Sequence, residues 1–278
     1  MEISAVPCDV RIHMTPLHDR FYVGDVPAFL GLVKVLKADP EFRIRFDFGN
    51  QCLDLESMMM AGVVGIGVRL YKGAGGIFVE SPTSRSDQCT LKVDSQSFLK
   101  ALATLNTMSY AYLSLRTEDD AAICLDIYDA EGQCLGSGTV MTLTMDELDH
   151  EFLVTKPQDP YPYEIMVTNT GATWCTYLQA AAAETTVRYD HHKQLLIWST
   201  SSVQSKVSLY LAVPPQSSCD VQLCLFPSVV QILRTIFQVT HQRATTMSLH
   251  EELPVRIVAD LDTRGSFLRV YAGTKDDT

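Results

Sequence analysis

The sequence predicts an α+β protein of two similar halves, each with antiparallel sheets and two helices. Three observations carry this. RFDFGNQCLDLES, from Arg45, is repeated as RYDHHKQLLIWST, from Arg188, 143 residues later. Four stretches show apolar residues at helical spacing. Most of the remainder alternates apolar and polar, or runs β-branched, as strands do. In the repeat, Arg45/Arg188, Phe46/Tyr189, Asp47/Asp190, Gln51/Gln194, Leu53/Leu196 and Ser57/Thr200 correspond. A weaker match, LSLRTED at Leu113 against MSLHEEL at Met247, keeps the same order.

Taken along the chain, Val26–Lys37 places Phe29, Leu32, Val33 and Leu36 on one helical face, with Lys34 and Lys37 off it. Each copy of the repeat reads as strand, tight turn, strand. Ser95–Leu105 sets Phe98, Leu102 and Leu105 against a stripe of Ser97, Lys100, Thr104 and Thr107. Cys124–Tyr128 is strand-like. Thr144–Tyr163 combines an acidic run with three prolines and reads as an exposed connector. Ala172–Glu184 is an alanine-rich helix with Trp174, Leu178 and Ala182 inward. Leu195–Ser199, Val207–Val213, Val221–Leu225 and Val255–Asp260 read as strands. Pro227–His241 opens on a proline, accepted in a first turn. It buries Val229, Ile232, Leu233, Ile236 and Phe237 and presents Gln231, Arg234, Gln238 and His241 along one face. The division expected is an extension at 1–20, a first domain at 21–143, a connector at 144–163 and a second domain at 164–278.

Composition limits the function. Of 278 residues, 46% are apolar and 20% charged, enough apolar content for real cores and against disorder. A formal charge of −11 excludes a basic protein that coats nucleic acid. No run approaches the roughly 20 apolar residues of a membrane span, and no signal peptide is expected at the start. The eight cysteines form no CxxC, and Cys219 and Cys224 have no histidine at zinc-ligand spacing. Buried free thiols in a reducing compartment are expected, with no metal and no cofactor.

No catalytic constellation emerges. Gly62, Gly65, Gly67, Gly73, Gly75 and Gly76 form a glycine-rich patch, but GVVGIG is not GxGxxG and strand-like VRLY follows it. Strand irregularities and a turn are the expected reading. Asp190-His191-His192 resembles a phosphoesterase metal triplet, yet it sits at the turn of the repeated hairpin. A metal-dependent phosphoesterase is therefore only a remote alternative. Glu118, Asp119 and Asp120 read as a loop between strands.

Four segments resemble one family, the sliding clamp of the proliferating cell nuclear antigen (PCNA). SMMMAGVVGIGVRL (Ser57–Leu70) resembles its Ser-Met strand motif, and LRTEDDA (Leu115–Ala121) its Leu-Arg-Ala-Glu-Asp-Asn-Ala loop. LTMDELDHEFL (Leu143–Leu153) resembles its interdomain connector, and Glu252–Lys275 its last hairpin and tail. The resemblance runs from about Phe21 to Lys275 and implies the DNA clamp fold, assembled through edge strands into a closed ring of three subunits. Helices would line a channel for double-stranded DNA, held without regard to sequence. It implies a non-enzymatic polymerase processivity factor serving replication and repair proteins, a clamp loader, and a nuclear or viral-replication location. A subunit of the heterotrimeric DNA-damage checkpoint clamp, or a virus-encoded factor, is the alternative.

Carried over residue by residue, the resemblance places Lys34, Lys37, Lys100, Arg234 and His241 on the channel. Ser97, Thr176, Gln179 and His241 fall where the family usually has Lys, Arg, His and Lys, so the channel is sparsely basic. Met58, Val63, Leu153, Pro254, Tyr271 and Gly273 match the pocket that takes a partner's hydrophobic peptide. Gly273-Thr274 replaces the family's Ala-Pro and Gly62 its rim histidine, which implies a different partner preference.

Overall fold

The computed structural model describes residues 20–37, 39–59, 64–72, 78–80, 88–105, 110–118, 121–145, 154, 165–179, 184–201, 206–214, 220–250 and 253–273. The first half runs β1 (Arg20–Val23), α1 (Val26–Leu36), β2 (Glu41–Asp47), β3 (Cys52–Met59), β4 (Val64–Tyr71), β5 (Phe78–Glu80), β6 (Gln88–Asp94), α2 (Ser95–Leu105), β7 (Tyr112–Glu118), β8 (Ala122–Tyr128) and β9 (Cys134–Leu143). The second runs β10 (Ile165–Thr170), α3 (Gly171–Gln179), β11 (Glu184–Asp190), β12 (Leu195–Ser201), β13 (Lys206–Ala212), β14 (Val221–Leu225), α4 (Pro227–Val239), β15 (Ala244–Leu249), β16 (Val255–Asp260) and β17 (Phe267–Ala272). Expectation and structure agree closely for α1, α2, α4, β14 and β16. The third helix ends earlier than alanine content suggests, because β11 begins at Glu184.

Three helices start on a side chain that caps their free amides. Asp25 Oδ1 accepts from Ala28 N at 3.1 Å, Asp94 Oδ1 from Ser97 N at 2.7 Å, and Thr170 Oγ1 from Thr173 N at 3.3 Å. The hydrogen bonds from Ser97 hold the Asp94 carboxyl below its usual range.

The repeat is legible down to its turns. Gln51 and Gln194 both adopt the left-handed conformation, at φ 51° and 54°. Asp47 Oδ1 accepts from Asn50 N at 2.9 Å, and Asp190 Oδ1 accepts from Lys193 N at 3.1 Å. Lys72 N donates to the Gln51 carbonyl and Val213 N to the Gln194 carbonyl, both at 3.0 Å. The same sequence signal thus builds the same three-strand corner twice.

Strands join as β10-β15-β16-β17-β4-β3-β2-β6-β9-β8-β7-β1-β5 and as β13-β12-β11-β14, with every described pairing antiparallel. The halves meet where β17 pairs with β4, from Phe267↔Arg69 to Ala272↔Val64. The helices form one layer, with α1 touching both α2 and α4 and α3 packed on α4. Gly171 permits that last contact, since a Cβ there would lie 2.4 Å from the Thr240 carbonyl oxygen. One continuous core links helices to sheets through Phe29, Phe42, Phe98, Trp174, Trp198 and Phe237, all 0–1% exposed.

Candidate nucleic-acid and peptide interfaces

Two surfaces collect the residues expected to bind partners, one on the helix layer and one on the outer face of the sheet. On the helix layer, exposed Lys34 and Lys37 come from α1 and its C-cap, and exposed Lys100 from α2. All three line one open trough of about 750 Å³, together with Leu30, Gln96, Leu99 and Ala103. Arg234 on α4 is half-buried and lies near the Cys175 thiol of α3. His241 is exposed in the turn beyond α4. The structure therefore joins three of the five expected channel residues and sets Arg234 and His241 apart. Sequence reasoning overlooked Arg243, which is exposed and lines a cleft of about 200 Å³ between α1 and α4.

On the outer sheet face, strand register builds the second surface. Met58 lies opposite Gly65, and Gly65 opposite Tyr271, so an apolar side chain flanks a glycine on either side. Lacking a Cβ, Gly65 places no side chain between them. Met58 is 44% exposed and Tyr271 half-buried. Pro254 is exposed immediately before β16, and Gly273 follows β17. Val63 and Leu153 lie outside the described residues.

Two positions along β4, Gly67 receives the buried Val154, which follows Leu153 in the chain. A Cβ at Gly67 would stand 2.6 Å from Val154 Cγ1, so only glycine lets Val154 seat there. Gly67 is thus a docking floor, while Gly62, Gly73, Gly75 and Gly76 lie outside the described residues. Gly65 and Gly67 sit in regular ladder positions and not in the irregularity the sequence suggested. Beside Gly67 the face is ionic yet buried. Asp54, 0% exposed, accepts from Arg69 Nε at 2.7 Å and from Arg45 Nε at 3.0 Å, while Arg43 pairs with Glu56. The Asp54 carboxylate raises the Arg69 guanidinium further above its ordinary value. Burial pushes the neighbouring Cys52 thiol up to about 12, which makes it inert as a nucleophile.

The histidine pair is accounted for structurally. The His191 and His192 rings meet at a tilt of 38° with centroids 3.8 Å apart in the β11–β12 turn, and Asp220 Oδ1 bonds both the His191 amide (2.9 Å) and Nδ1 (2.7 Å). These bonds hold the Asp220 carboxyl down at about 2. Among the described residues, no three His, Cys, Asp or Glu converge to hold a metal. The described cysteines are free, and Cys134 departs from expectation by being exposed.

No protein-family profile matches the chain, and no curated protein matches it in sequence. Solved structures do match. PCNA of Thermococcus kodakaraensis superposes at TM-score 0.69 with 11% identity, covering 92% of this chain and 100% of that one. The PCNA2–PCNA3 complex of Sulfolobus tokodaii gives 0.71 at 14% identity, covering 92% and 99%. PCNA of A. fulgidus bound to the C-terminal region of FEN-1 gives 0.69 at 14% identity, covering 94% and 99%. With its antiparallel sheets, its four described helices and this likeness over more than nine-tenths of its length, the chain has the fold of the PCNA sliding clamps.

Proposed function

We propose that the chain is a non-catalytic sliding clamp, three copies of which close around duplex DNA and tether replication and repair proteins. One observation carries the reading. In the two halves, β13 corresponds to β4 and β9 to β17, each reached through the same repeated hairpins. Inside the chain β4 pairs with β17. Among the described residues β13 has only β12 beside it, and β9 meets β6 only at Leu143 and Thr142. The equivalent junction, β13 against β9, is therefore open and can be completed by a second copy.

Among the described residues, these two edges also carry four of the six exposed large apolar side chains: Met141 at 66%, Leu143 at 36%, Val207 at 41% and Tyr210 at 61%. Exposed strand edges with apolar side chains pair unless something prevents it. No acid or base occurs in β9, and β13 carries only Lys206, so repulsion does not.

On this reading the helix layer faces the channel. Its lysines meet phosphates without reading bases, and enclosure supplies processivity while each contact stays weak. The Met58–Gly65–Tyr271 patch takes a partner peptide's apolar anchor. A clamp loader, a polymerase and a nuclear or viral-replication site complete the proposal. A heteromeric ring, such as a checkpoint clamp, is the second reading. Its support is the likeness to a complex of two different PCNA chains.

Native mass spectrometry tests the assembly. The proposed homotrimer gives a three-chain species, and M141E/Y210E gives monomers with unchanged circular dichroism. Monomeric wild type that assembles only with related chains supports the heteromeric ring. Failure to assemble in any mixture refutes both.

A further inference from the structure

Resting on the clamp reading, we infer that the ring wall is uneven and that the DNA backbone is seated in the α1–α2 trough of each first half. Helices α3 and α4 then contribute at most one phosphate contact. Charge placement carries this. Lys34, Lys37 and Lys100 converge on one trough of about 750 Å³, floored by Leu30 and Leu99 with Gln96 at its side. Each is exposed, and none has a carboxylate partner among the described residues. Three lysines from two helices, without a carboxylate partner among the described residues, spread positive charge around an open trough, and a chain of phosphates is the occupant that such a spread attracts.

The other half of the helix layer differs. No charged residue occurs in α3, whose sequence is GATWCTYLQ. On α4, PSVVQILRTIFQV, the one charge is Arg234. That side chain is half-buried, so it is less open to a phosphate than the exposed lysines of the trough. Arg243 stands at the seam with α1, so it extends the basic sector of the first half and does not create a second one. Alternating gripping and neutral sectors would hold a duplex off the axis of the ring, and salt would weaken that hold steeply.

Fluorescence anisotropy with a labelled random-sequence duplex, read across KCl concentrations, tests this. Each phosphate contact adds about 0.9 to the slope of log affinity against log salt. K34A/K37A/K100A should remove about 2.7 from the slope for each trough engaged, which corresponds to about 40-fold between 50 and 200 mM salt. R234A should remove no more than one contact's share. Equal losses in the two variants, or an unaffected triple variant, overturn the uneven wall. Assembly by mass spectrometry is scored separately. A trimer with equal losses overturns this inference alone, whereas a chain that never assembles overturns the clamp reading.

Discussion

Replacing Trp174 by alanine is expected to destabilise the protein by about 3–5 kcal/mol, the usual cost of removing a buried aromatic side chain. Trp174 is wholly buried and stacks on Phe237 at 6.0 Å, with Trp198 and Tyr177 each 6.2 Å away. Its Nε1 donates to the Thr245 carbonyl at 3.1 Å. Alanine therefore opens a large cavity and leaves a buried carbonyl without its partner. Against the 5–15 kcal/mol typical of a folded domain, that loss is a large fraction. Urea denaturation measures it, and Trp174→Phe should recover more than half. A loss below about 1 kcal/mol would contradict the packing described.

Asp54→Ala is expected to cost as much, about 3–5 kcal/mol, by a different route. The carboxylate lies between Arg45 and Arg69 with no exposure of its own. Removing it takes away the buried carboxylate that two guanidinium groups share, and leaves two like charges side by side on largely buried side chains. The damage comes from the charge left behind and not from the small volume lost. The double variant D54A/R69A should therefore be less destabilised than the sum of its single changes. Additive losses in the urea midpoint would show that the three side chains do not act as a unit.

How much the sequence disclosed depended on whether the deciding interaction was local. The bounds of α1 and α2 follow from periodicity and from Asp25 and Asp94, which cap within three residues. The left-handed Gln51 and Gln194 belong to turns whose Asp47 and Asp190 were visible as a repeat. Alanine content misplaced the end of the third helix because β11 wins the residues from Glu184 through pairing with β12 and β14. Nothing local marks Asp54 and Glu56 as buried, which depends on ion pairing across strands and, beside Gly67, on Val154 far along the chain. Gly65 and Gly67 were conspicuous in the sequence, yet their pairing with β17, some 200 residues away, was not. Among the residues expected on the channel, helical spacing put Lys34, Lys37 and Lys100 off the apolar faces, and the structure brings these three to one trough. It did not separate them from Arg234, whose half-burial depends on tertiary packing that periodicity does not report.

The central claim, that copies of this chain enclose DNA, is tested most directly by topology. The protein is mixed with nicked circular plasmid, its subunits are joined by a short amine cross-linker, and the complex is washed in high salt. Enclosure predicts that protein stays with the circle and is released by a single restriction cut, whatever the plasmid sequence. Equal retention on circular and linear DNA, or none on either, would contradict it.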